Sequence, residues 1–421
     1  MVKLVEKPKV NKFTFIQDSE PVDTDTIEYF GLERRDTRYS VNRGTEVSNF
    51  VGFIYKGNQV LVSLPKHYVN YKNSDIELTK PVLGQQDSEL LFRVITKRNL
   101  VKTDELIGRS GDSALSNYPI DSFYEIYRYY QRYGLYQESE VYSHQNGRGV
   151  ISWRDTVRKA SNVITDNRKL VLLPLYKREK RSKSVFLTSC MTFAIQYTLD
   201  QFRFAIRLPF QGGLSINLNM IDHADQVVRR LREIEHKMFK DIHKHLINSL
   251  INFFENIPPR GFDLKVKSYN FETTWEYIVE EYLNQQFSGF KDEKLIFSAA
   301  RKNIFKFDTQ VTVDVDKAHK DHRIRLDYFV RINNTQYIFD AKYFRNIYGL
   351  NYKQLAYSLL LKNEADRTVN TLIIPTSGES GQTIKPHFEL NNAVLSGFNE
   401  DTKIYIYQLN MKQGMQLYVE R

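Results

Sequence analysis

Two stretches of this 421-residue chain show the alternating apolar and polar positions that are typical of β-strands. In residues 50–69, FVGFIYKGNQVLVSLPKHYV, two β-rich runs surround Gly57 and Asn58, which are residues able to adopt positive φ. In residues 325–346, RLDYFVRINNTQYIFDAKYFRN, two further runs surround the sequence Asn333–Thr335. Each pattern predicts a β-hairpin.

The middle of the chain follows the helical period instead. In residues 121–138, four aromatic positions fall near helical spacing and predict a buried helix face. From about residue 224 to 254 the pattern predicts one long amphipathic helix, which ends before Pro258, Pro259 and Gly261. The four aromatic positions of residues 121–138 are Phe123, Tyr127, Tyr130 and Tyr133.

The basic run at residues 175–186 is expected to be a solvated loop. The first forty residues are expected to be an irregular lead-in.

After Gly261 the order of elements changes to helix, strands, hairpin, helix and strands, which indicates a mixed α/β region with a central sheet. We therefore predict an α+β and α/β chain with an N-terminal β-rich domain over residues 1–120. A mainly helical middle region, a candidate for docking a partner, covers residues 121–260. A C-terminal α/β domain covers residues 261–421.

The charge of the chain narrows the classes of partner. The formal net charge is +10 and the sequence pI is about 9.2, which favours nucleic acid over a membrane surface. The single cysteine, Cys190, excludes an internal disulfide framework and Cys-based zinc fingers, and suits a reducing cytoplasm. There is no apolar run of membrane-spanning length, so we expect no membrane partner. The sequence also lacks a Walker phosphate loop, which argues against nucleotide hydrolysis by this chain.

The second hairpin carries charged residues where a strand face is expected to be half buried. Strand periodicity places Asp340 and Lys342 on one face, and Asp327 lies across the turn. Two close carboxylates repel each other unless a cation sits between them. Mg²⁺ would suit these oxygen ligands, with the carbonyl of Ala341 as an additional ligand. Lys342 would orient or deprotonate a water beside the metal, which is the chemistry of phosphodiester hydrolysis.

Two other interpretations of these charges are open. In the first, Asp340 and Lys342 form a surface salt bridge and Asp327 is merely exposed. In the second, the metal binds Asp314 and Asp316, which are expected to share a strand face but have no lysine at a suitable spacing.

The charged residues resemble a known nuclease motif. Asp327 together with residues 340–342, Asp-Ala-Lys, resembles the PD-(D/E)xK motif, with Leu326 where a proline often stands. Glu276 resembles the acidic residue on the first helix of that fold, and Glu280, one turn later, is the alternative candidate for that position. The resemblance implies metal-dependent hydrolysis by Asp327, Asp340, Lys342 and Glu276, with Asp327, Asp340 and Ala341 as the metal ligands.

The helix after the hairpin extends this resemblance. Gln354 looks like the glutamine that follows the core in the RecB-like branch, where a tyrosine usually stands four residues later. Here Tyr357 stands three residues later and Ser358 four.

Two earlier segments resemble restriction proteins. Residues 51–68, VGFIYKGNQVLVSLPKHY, are similar to the hairpin ending in Pro-Lys of McrC-like proteins. Residues 147–160, GRGVISWRDTVRKA, are similar to the Gly-Ile-x-Trp-x-x-Thr stretch of LlaJI-type members. The resemblance implies a bacterial or archaeal cytoplasmic endonuclease subunit that cleaves double-stranded DNA with Mg²⁺, or Mn²⁺ as a substitute. Its implied partner is a McrB-like AAA+ GTPase motor.

Two alternative functions accompany this hypothesis. One is a stand-alone restriction or repair nuclease that selects its own site. The other is a non-catalytic DNA-binding adaptor for a motor.

Overall fold

The computed structural model describes residues 12–70, 83–102, 115–146, 148–164, 170–212, 216–298, 305–319, 321–344, 347–361, 365–391 and 402–420. Residues 1–11 of the lead-in and residue 147 of the LlaJI-like stretch lie outside these ranges. The chain divides into two compact units of mixed α+β structure. The first contains residues 1–118, 204–206 and 261–421, and the second contains residues 119–203 and 207–260. Among the described helices, none is both long and apolar enough to cross a membrane.

The first unit begins with a sheet built on the predicted hairpin. That hairpin, β4–β5, is confirmed, with Gly57 in its turn at a φ of 59°. The irregular lead-in expected here is wrong for the described residues, because residues 12–17 form a strand parallel to β5. The elements are β1 (Lys12–Gln17), α1 (Thr24–Phe30), β2 (Thr37–Ser40), β3 (Thr45–Ser48), β4 (Val51–Lys56), β5 (Gln59–Leu64), α2 (Gln85–Lys102) and β6 (Leu115–Ser116).

In its described residues, the second unit packs helices around an apolar core and carries a three-stranded and a two-stranded sheet. Phe123, Cys190, Phe193, Leu250 and Phe253 are buried in that core. The elements are α3 (Ile120–Tyr133), β7 (Glu138–Gln145), β8 (Val150–Ile151), α4 (Trp153–Lys159), β9 (Ser161–Ile164), β10 (Leu170–Leu173), β11 (Tyr176–Lys183), α5 (Phe186–Gln201), α6 (Asn219–Asp222), α7 (Ala224–Glu235) and α8 (Asp241–Asn256).

The structure corrects three expectations in this unit. The single long helix is wrong, because α7 ends at Glu235 and α8 begins at Asp241. The basic segment is solvated as expected, but it is not a loop, since most of it forms strand β11 between β7 and β8. Lys183 of β11 forms an ion pair with Glu140 of β7 at 2.6 Å, and such cross-strand charge pairs stabilise a sheet. In α3, Phe123 and Tyr127 are buried as predicted, but Tyr133 is exposed.

The first unit resumes at residue 261 and contains the larger sheet. The elements are β12 (Leu264–Ser268), α9 (Phe271–Gln286), β13 (Phe287–Lys291), β14 (Lys294–Phe297), β15 (Asp308–Asp314), β16 (Arg323–Ile332), β17 (Thr335–Ala341), α10 (Tyr352–Leu360), β18 (Arg367–Thr376), β19 (Gly381–Gln382), β20 (Phe388–Glu389), β21 (Lys403–Asn410) and α11 (Met411–Val419). The strand order of the larger sheet is β15-β16-β17-β18-β21-β19, and β20 also pairs with β21.

The predicted second hairpin, β16–β17, is confirmed and forms the centre of this sheet. Asn333 and Asn334 have φ values of 49° and 61°, as a two-residue hairpin turn with matching twist requires. Strands β15, β16 and β17 are antiparallel, whereas β17, β18 and β21 are parallel. The end of β17 is therefore enclosed between two neighbouring strands.

Strand β12 ties the returning chain to the N-terminal sheet, where it lies between β4 and β6. Gly52 allows this close approach, because a Cβ at that position would lie 2.0 Å from the carbonyl oxygen of Val266. A buried ion pair adds to the connection: Lys267 Nζ lies 2.7 Å from Asp36 Oδ2, and the Tyr269 hydroxyl donates to Asp36 Oδ1. Helix α2 contacts β4 of the N-terminal sheet and the helices α9 and α11 of the same unit.

Candidate active site

The charged residues of the second hairpin come together at the centre of the larger sheet. Strand pairing sets Tyr328 of β16 opposite Phe339 of β17, so Asp327 and Asp340 are the next residues along the two strands. On the other side, Asp340 is paired with Leu372 of β18. Asp340 is fully buried, and the Asp327 side chain is only 13% exposed.

Lys342 lies against the buried carboxylate. Its Nζ is 2.5 Å from Asp340 Oδ2, and its backbone N–H donates to the carbonyl of Ile373 at 2.9 Å. That hydrogen bond continues the β17–β18 pairing one residue past the end of β17. The structure thus brings Asp327, Asp340 and Lys342 into one cluster, and the surface position expected in the salt-bridge interpretation is wrong for Asp327 and Asp340.

The two carboxylates do not ionise independently. Burial raises the pKa of Asp327 to about 7, and the charge of Asp340 adds to this effect. The ammonium groups of Lys353 and Lys342 lower that pKa, but they do not offset the other contributions. Near neutral pH the pair therefore holds a proton on Asp327 in part of the molecules, unless another cation is present.

Lys353 is a member of the cluster that the sequence patterns did not indicate. Its Nζ lies 3.6 Å from Asp340 Oδ1 and 3.9 Å from Asp327 Oδ1. Burial alone would lower the pKa of Lys353, but the two aspartates raise it above its usual value. Helical spacing was the available signal, because Lys353 and Tyr357 are four residues apart and share a helix face. In the structure the Lys353 ammonium lies 5.5 Å from the centre of the Tyr357 ring.

Helix α10 is held beside the cluster by polar contacts. Asn351 caps the helix by accepting the backbone N–H of Gln354, and the Tyr357 hydroxyl donates to the carbonyl of Arg325. Asn370 of β18 donates to the Gln354 carbonyl at 2.7 Å. Gln354 itself is fully buried, and within the described residues neither atom of its side-chain amide has a hydrogen-bond partner. Such a group is costly unless something completes its hydrogen bonds.

Helix α9 carries the two acidic residues that resemble the first-helix position. Both Glu276 and Glu280 are half buried. The Tyr328 hydroxyl donates to the backbone carbonyl of Glu276 at 2.6 Å, which fixes this turn of α9 to the strand residue next to Asp327. The choice between the two glutamates stays open.

Residues from the N-terminal sheet hold the segment that follows Lys342. The backbone N–H of Lys66, just after β5, donates to the Tyr343 hydroxyl at 2.7 Å, and its ammonium donates to the Tyr343 carbonyl at 3.3 Å. The same ammonium lies 3.8 Å from Asp18 Oδ2. Burial raises the pKa of Asp18, and Lys66 offsets this only in part. The Pro-Lys end of the first hairpin is therefore a direct support of the second.

The donor set fits a hard divalent cation. The fully buried carboxylate of Asp340 is compensated by ion pairs, with Lys342 Nζ 2.5 Å from Oδ2 and Lys353 Nζ 3.6 Å from Oδ1. Asp327 contributes a second carboxylate, whose pKa is raised by burial and by the charge of Asp340. Carboxylate oxygens are the ligands that Mg²⁺ prefers. Asp327 and Asp340 would hold such an ion, and the buried Ala341, between Asp340 and Lys342, could add its carbonyl.

The alternative pair of aspartates does not form a strand-face site. Strand β15 ends at Asp314, so Asp316 lies in the loop beyond it. Asp314 Oδ1 is paired with Arg323 Nε at 2.6 Å, whereas Asp316 contacts two histidines. The expectation that the two aspartates share a strand face is wrong.

The fold and the cluster define a mixed α+β protein with a buried carboxylate–lysine site. The model of the LlaJI restriction endonuclease family matches residues 50–357, which span both hairpins, the second unit and most of α10. Because this match covers well over half of the sequence, the chain belongs to the LlaJI restriction endonuclease family.

Two solved assemblies from Thermococcus gammatolerans are similar to this chain. The first is a refined half-complex from a tetradecameric assembly of McrB AAA+ hexamers with bound McrC, with 13% identity, coverage of 97% of this chain and 98% of that chain, and a TM-score of 0.37. The second is a McrBC complex determined by cryo-EM, with 12% identity, coverage of 66% and 89%, and a TM-score of 0.25. No curated protein sequence matches this chain.

The raised pKa of Asp327 predicts how substitution changes stability. The carboxyl of Asp327 binds a proton more tightly in the folded state than in the unfolded state. Ionisation of this carboxyl therefore lowers the free energy of unfolding as the pH rises from about 4 to about 7. In the presence of a chelator, we expect Asp327→Asn to increase the free energy of unfolding by on the order of 2–4 kcal/mol at about pH 8. The gain should vanish near pH 4.

Denaturant unfolding of both proteins across this pH range measures the effect. Asp308→Asn, at an exposed position of β15, is the matched control and should show no pH-dependent difference from the parent. Parallel stability curves for Asp327→Asn and the parent would show that the pKa of Asp327 is not raised in the folded protein.

Proposed function

We propose that this chain is a metal-dependent DNA endonuclease subunit of a restriction system. The observation that carries the proposal is the cluster of Asp327, Asp340 and Lys342 at the centre of the larger sheet, within a chain of the LlaJI restriction endonuclease family. We assign the cluster to a PD-(D/E)xK nuclease domain, and the region from residue 261 onwards to that domain. The net charge of +10 supports DNA as the polyanionic substrate.

The chemistry is hydrolysis of one phosphodiester linkage. A water oxygen forms a bond to phosphorus, one bridging P–O bond breaks, and the leaving oxygen takes a proton. A bound Mg²⁺ or Mn²⁺ supplies Lewis-acid polarisation of the phosphate and lowers the pKa of a nearby water. Asp327 and Asp340 would hold that ion, with Asp327 in its deprotonated form.

The two lysines have different roles in this proposal. Lys342, at 2.5 Å from Asp340, orients the attacking water and, as an ammonium, balances the charge that develops on the phosphate, while the proton of the water passes to solvent. Lys353 is 48% exposed, so its ammonium reaches both the buried carboxylates and the solvent from which DNA approaches. It neutralises the pair before the ion binds and then turns to a phosphate oxygen.

The remaining candidates support these groups. Glu276, or Glu280 one turn later, contributes a further carboxylate from α9. Gln354 positions a water or a phosphate with its buried, incompletely bonded amide. Tyr357 orients Lys353, and its hydroxyl also holds the backbone of Arg325.

The partner belongs to the same proposal and rests on the sequence. Residues 51–68 resemble the Pro-Lys hairpin of McrC-like proteins, and the chain has no phosphate loop of its own. We propose a McrB-like AAA+ GTPase as the motor subunit, a cytoplasmic location, and double-stranded DNA as the common substrate. The stand-alone nuclease remains the second candidate.

Substitution of the central residues tests the catalytic proposal. We expect Asp340→Asn and Lys342→Met each to reduce Mg²⁺-dependent cleavage of plasmid DNA by about 10²–10⁴-fold, because each removes a group that acts on the reacting atoms. Thermal unfolding should show that both variants are folded. Asp308→Asn and Lys385→Met, at exposed positions of the same unit, are controls that should cut normally. Undiminished cleavage by either central variant would remove that residue from the mechanism.

Lys353 gives a separate test. We expect Lys353→Met to slow cleavage at saturating Mg²⁺ by about 10–100-fold, because a cation facing the phosphate is lost. The Mg²⁺ concentration for half-maximal activity should stay the same or fall, since the competing ammonium is gone. Lys353→Arg should restore much of the rate. If Lys353→Met instead raises the Mg²⁺ requirement at an unchanged maximal rate, the side chain helps metal binding rather than the phosphate.

The dependence on a motor can be measured directly. Tagged chain purified from its native source should bring down an AAA+ GTPase, and the mixture should cut DNA only with hydrolysable GTP. A non-hydrolysable GTP analogue is the control. Complete cleavage by the isolated chain without GTP would favour the stand-alone nuclease, whereas cleavage that also fails in the complex and in every metal tested would favour the adaptor.

A further inference from the structure

Three potential metal ligands meet at the tip of the β15–β16 hairpin, outside the cluster described above. Asp316 Oδ2 lies 2.8 Å from Nδ1 of His322 and 3.3 Å from Nδ1 of His319. One ligand atom from each residue lies within 4.8 Å of the other two, and the imidazole centroids are 4.9 Å apart. In the parts of the chain that the structure describes, this is the one group of three or more such side chains.

These separations are close to those of ligands around one ion. With metal–ligand distances of about 2.0–2.1 Å, neighbouring donors of a tetrahedral site are about 3.3 Å apart. The two contacts of Asp316 Oδ2 lie near that value, so the imidazoles need only small rotations to face a shared ion. Both histidines are about two-thirds exposed, which leaves a path for the ion and open positions for water.

The loop backbone holds the carboxylate in place. Asp316 Oδ1 accepts the backbone N–H groups of Ala318 and His319 at 2.7 and 3.2 Å, which leaves Oδ2 directed at the two rings. At the base of the loop, Arg323 Nε is paired with Asp314 Oδ1 at 2.6 Å. Asp316 is therefore fixed by its own turn, and the loop is closed between the ends of β15 and β16.

The donor types select the class of ion. Two neutral imidazoles and one carboxylate suit divalent ions such as Zn²⁺, Co²⁺ and Ni²⁺, whereas Mg²⁺ prefers oxygen ligands only. We propose that Asp316, His319 and His322 bind one divalent transition-metal ion, which clips the hairpin at the start of strand β16. This site is separate from the carboxylate–lysine cluster and does not depend on the proposed nuclease activity.

Cobalt binding to the full chain tests the site. After metal removal, Co²⁺ should bind with visible absorption bands typical of nitrogen coordination, at one equivalent that a large excess of Mg²⁺ does not displace. The double variant His319→Ala/His322→Ala should weaken that binding by at least about tenfold, because two of three ligands are lost. Isothermal titration with Zn²⁺ should show the same loss.

Two comparison variants make the result specific. His236→Ala removes an exposed histidine of the second unit and should bind Co²⁺ as the parent does. Asp340→Asn should also keep this equivalent, so failure of the proposed nuclease mechanism and failure of the metal site are distinguishable. Retention of full affinity by the double variant, loss of binding in Asp340→Asn, or displacement by Mg²⁺ would each overturn the proposal.

Discussion

Two carboxylates held on neighbouring strands, one of them fully buried, are the constraint on which the rest of this site depends. Asp340 cannot reach water, and Asp327 cannot move away because β16 and β17 fix their separation. The negative charge of the two carboxylates must therefore be compensated by cations that bind next to them. Lys342, just past the end of β17, approaches one oxygen of Asp340, and Lys353 approaches the other from α10. The compensation is incomplete, since the pKa of Asp327 still rises to about 7, and this residual demand for positive charge is what favours a metal ion.

The position of Lys342 also depends on residues far away in the chain. Strand β17 ends at Ala341, and the following Tyr343 is held at its hydroxyl and its carbonyl by Lys66. Lys66 in turn lies beside Asp18, which follows β1. The N-terminal sheet is thus a structural support for the end of the strand that carries the cluster. A substitution of Lys66, just after β5, would therefore affect the position of Lys342 through a single intervening residue, Tyr343.

Much of this arrangement could be predicted from sequence because it is local. The period of two and the turn residues Asn333 and Asn334 define the hairpin, and the hairpin alone brings Asp327 to Asp340. Lys353 was missed because its approach to the two aspartates depends on how α10 packs across β16. Helical periodicity places Lys353 on the same helix face as Tyr357, but it does not encode the packing of that face on the sheet. The pairing of β12 with β4 joins segments about two hundred residues apart, and the local pattern carries no information on such contacts. The basic run at residues 175–186 was misjudged for the same reason, since its strand structure requires β7 as a partner.

Strand β16 connects two sites with different donor chemistry. His322 immediately precedes the strand, and Asp327 lies five residues later, which corresponds to about 16 Å along an extended strand. That distance exceeds the Debye length of about 8 Å at physiological ionic strength, so a charge bound at the hairpin tip has little direct effect on the ionisation of Asp327 across solvent. Any influence between the sites must pass through the backbone of β16. The imidazoles of the proposed hairpin-tip site disfavour Mg²⁺, so Mg²⁺ at the proposed carboxylate site would not compete for the hairpin tip.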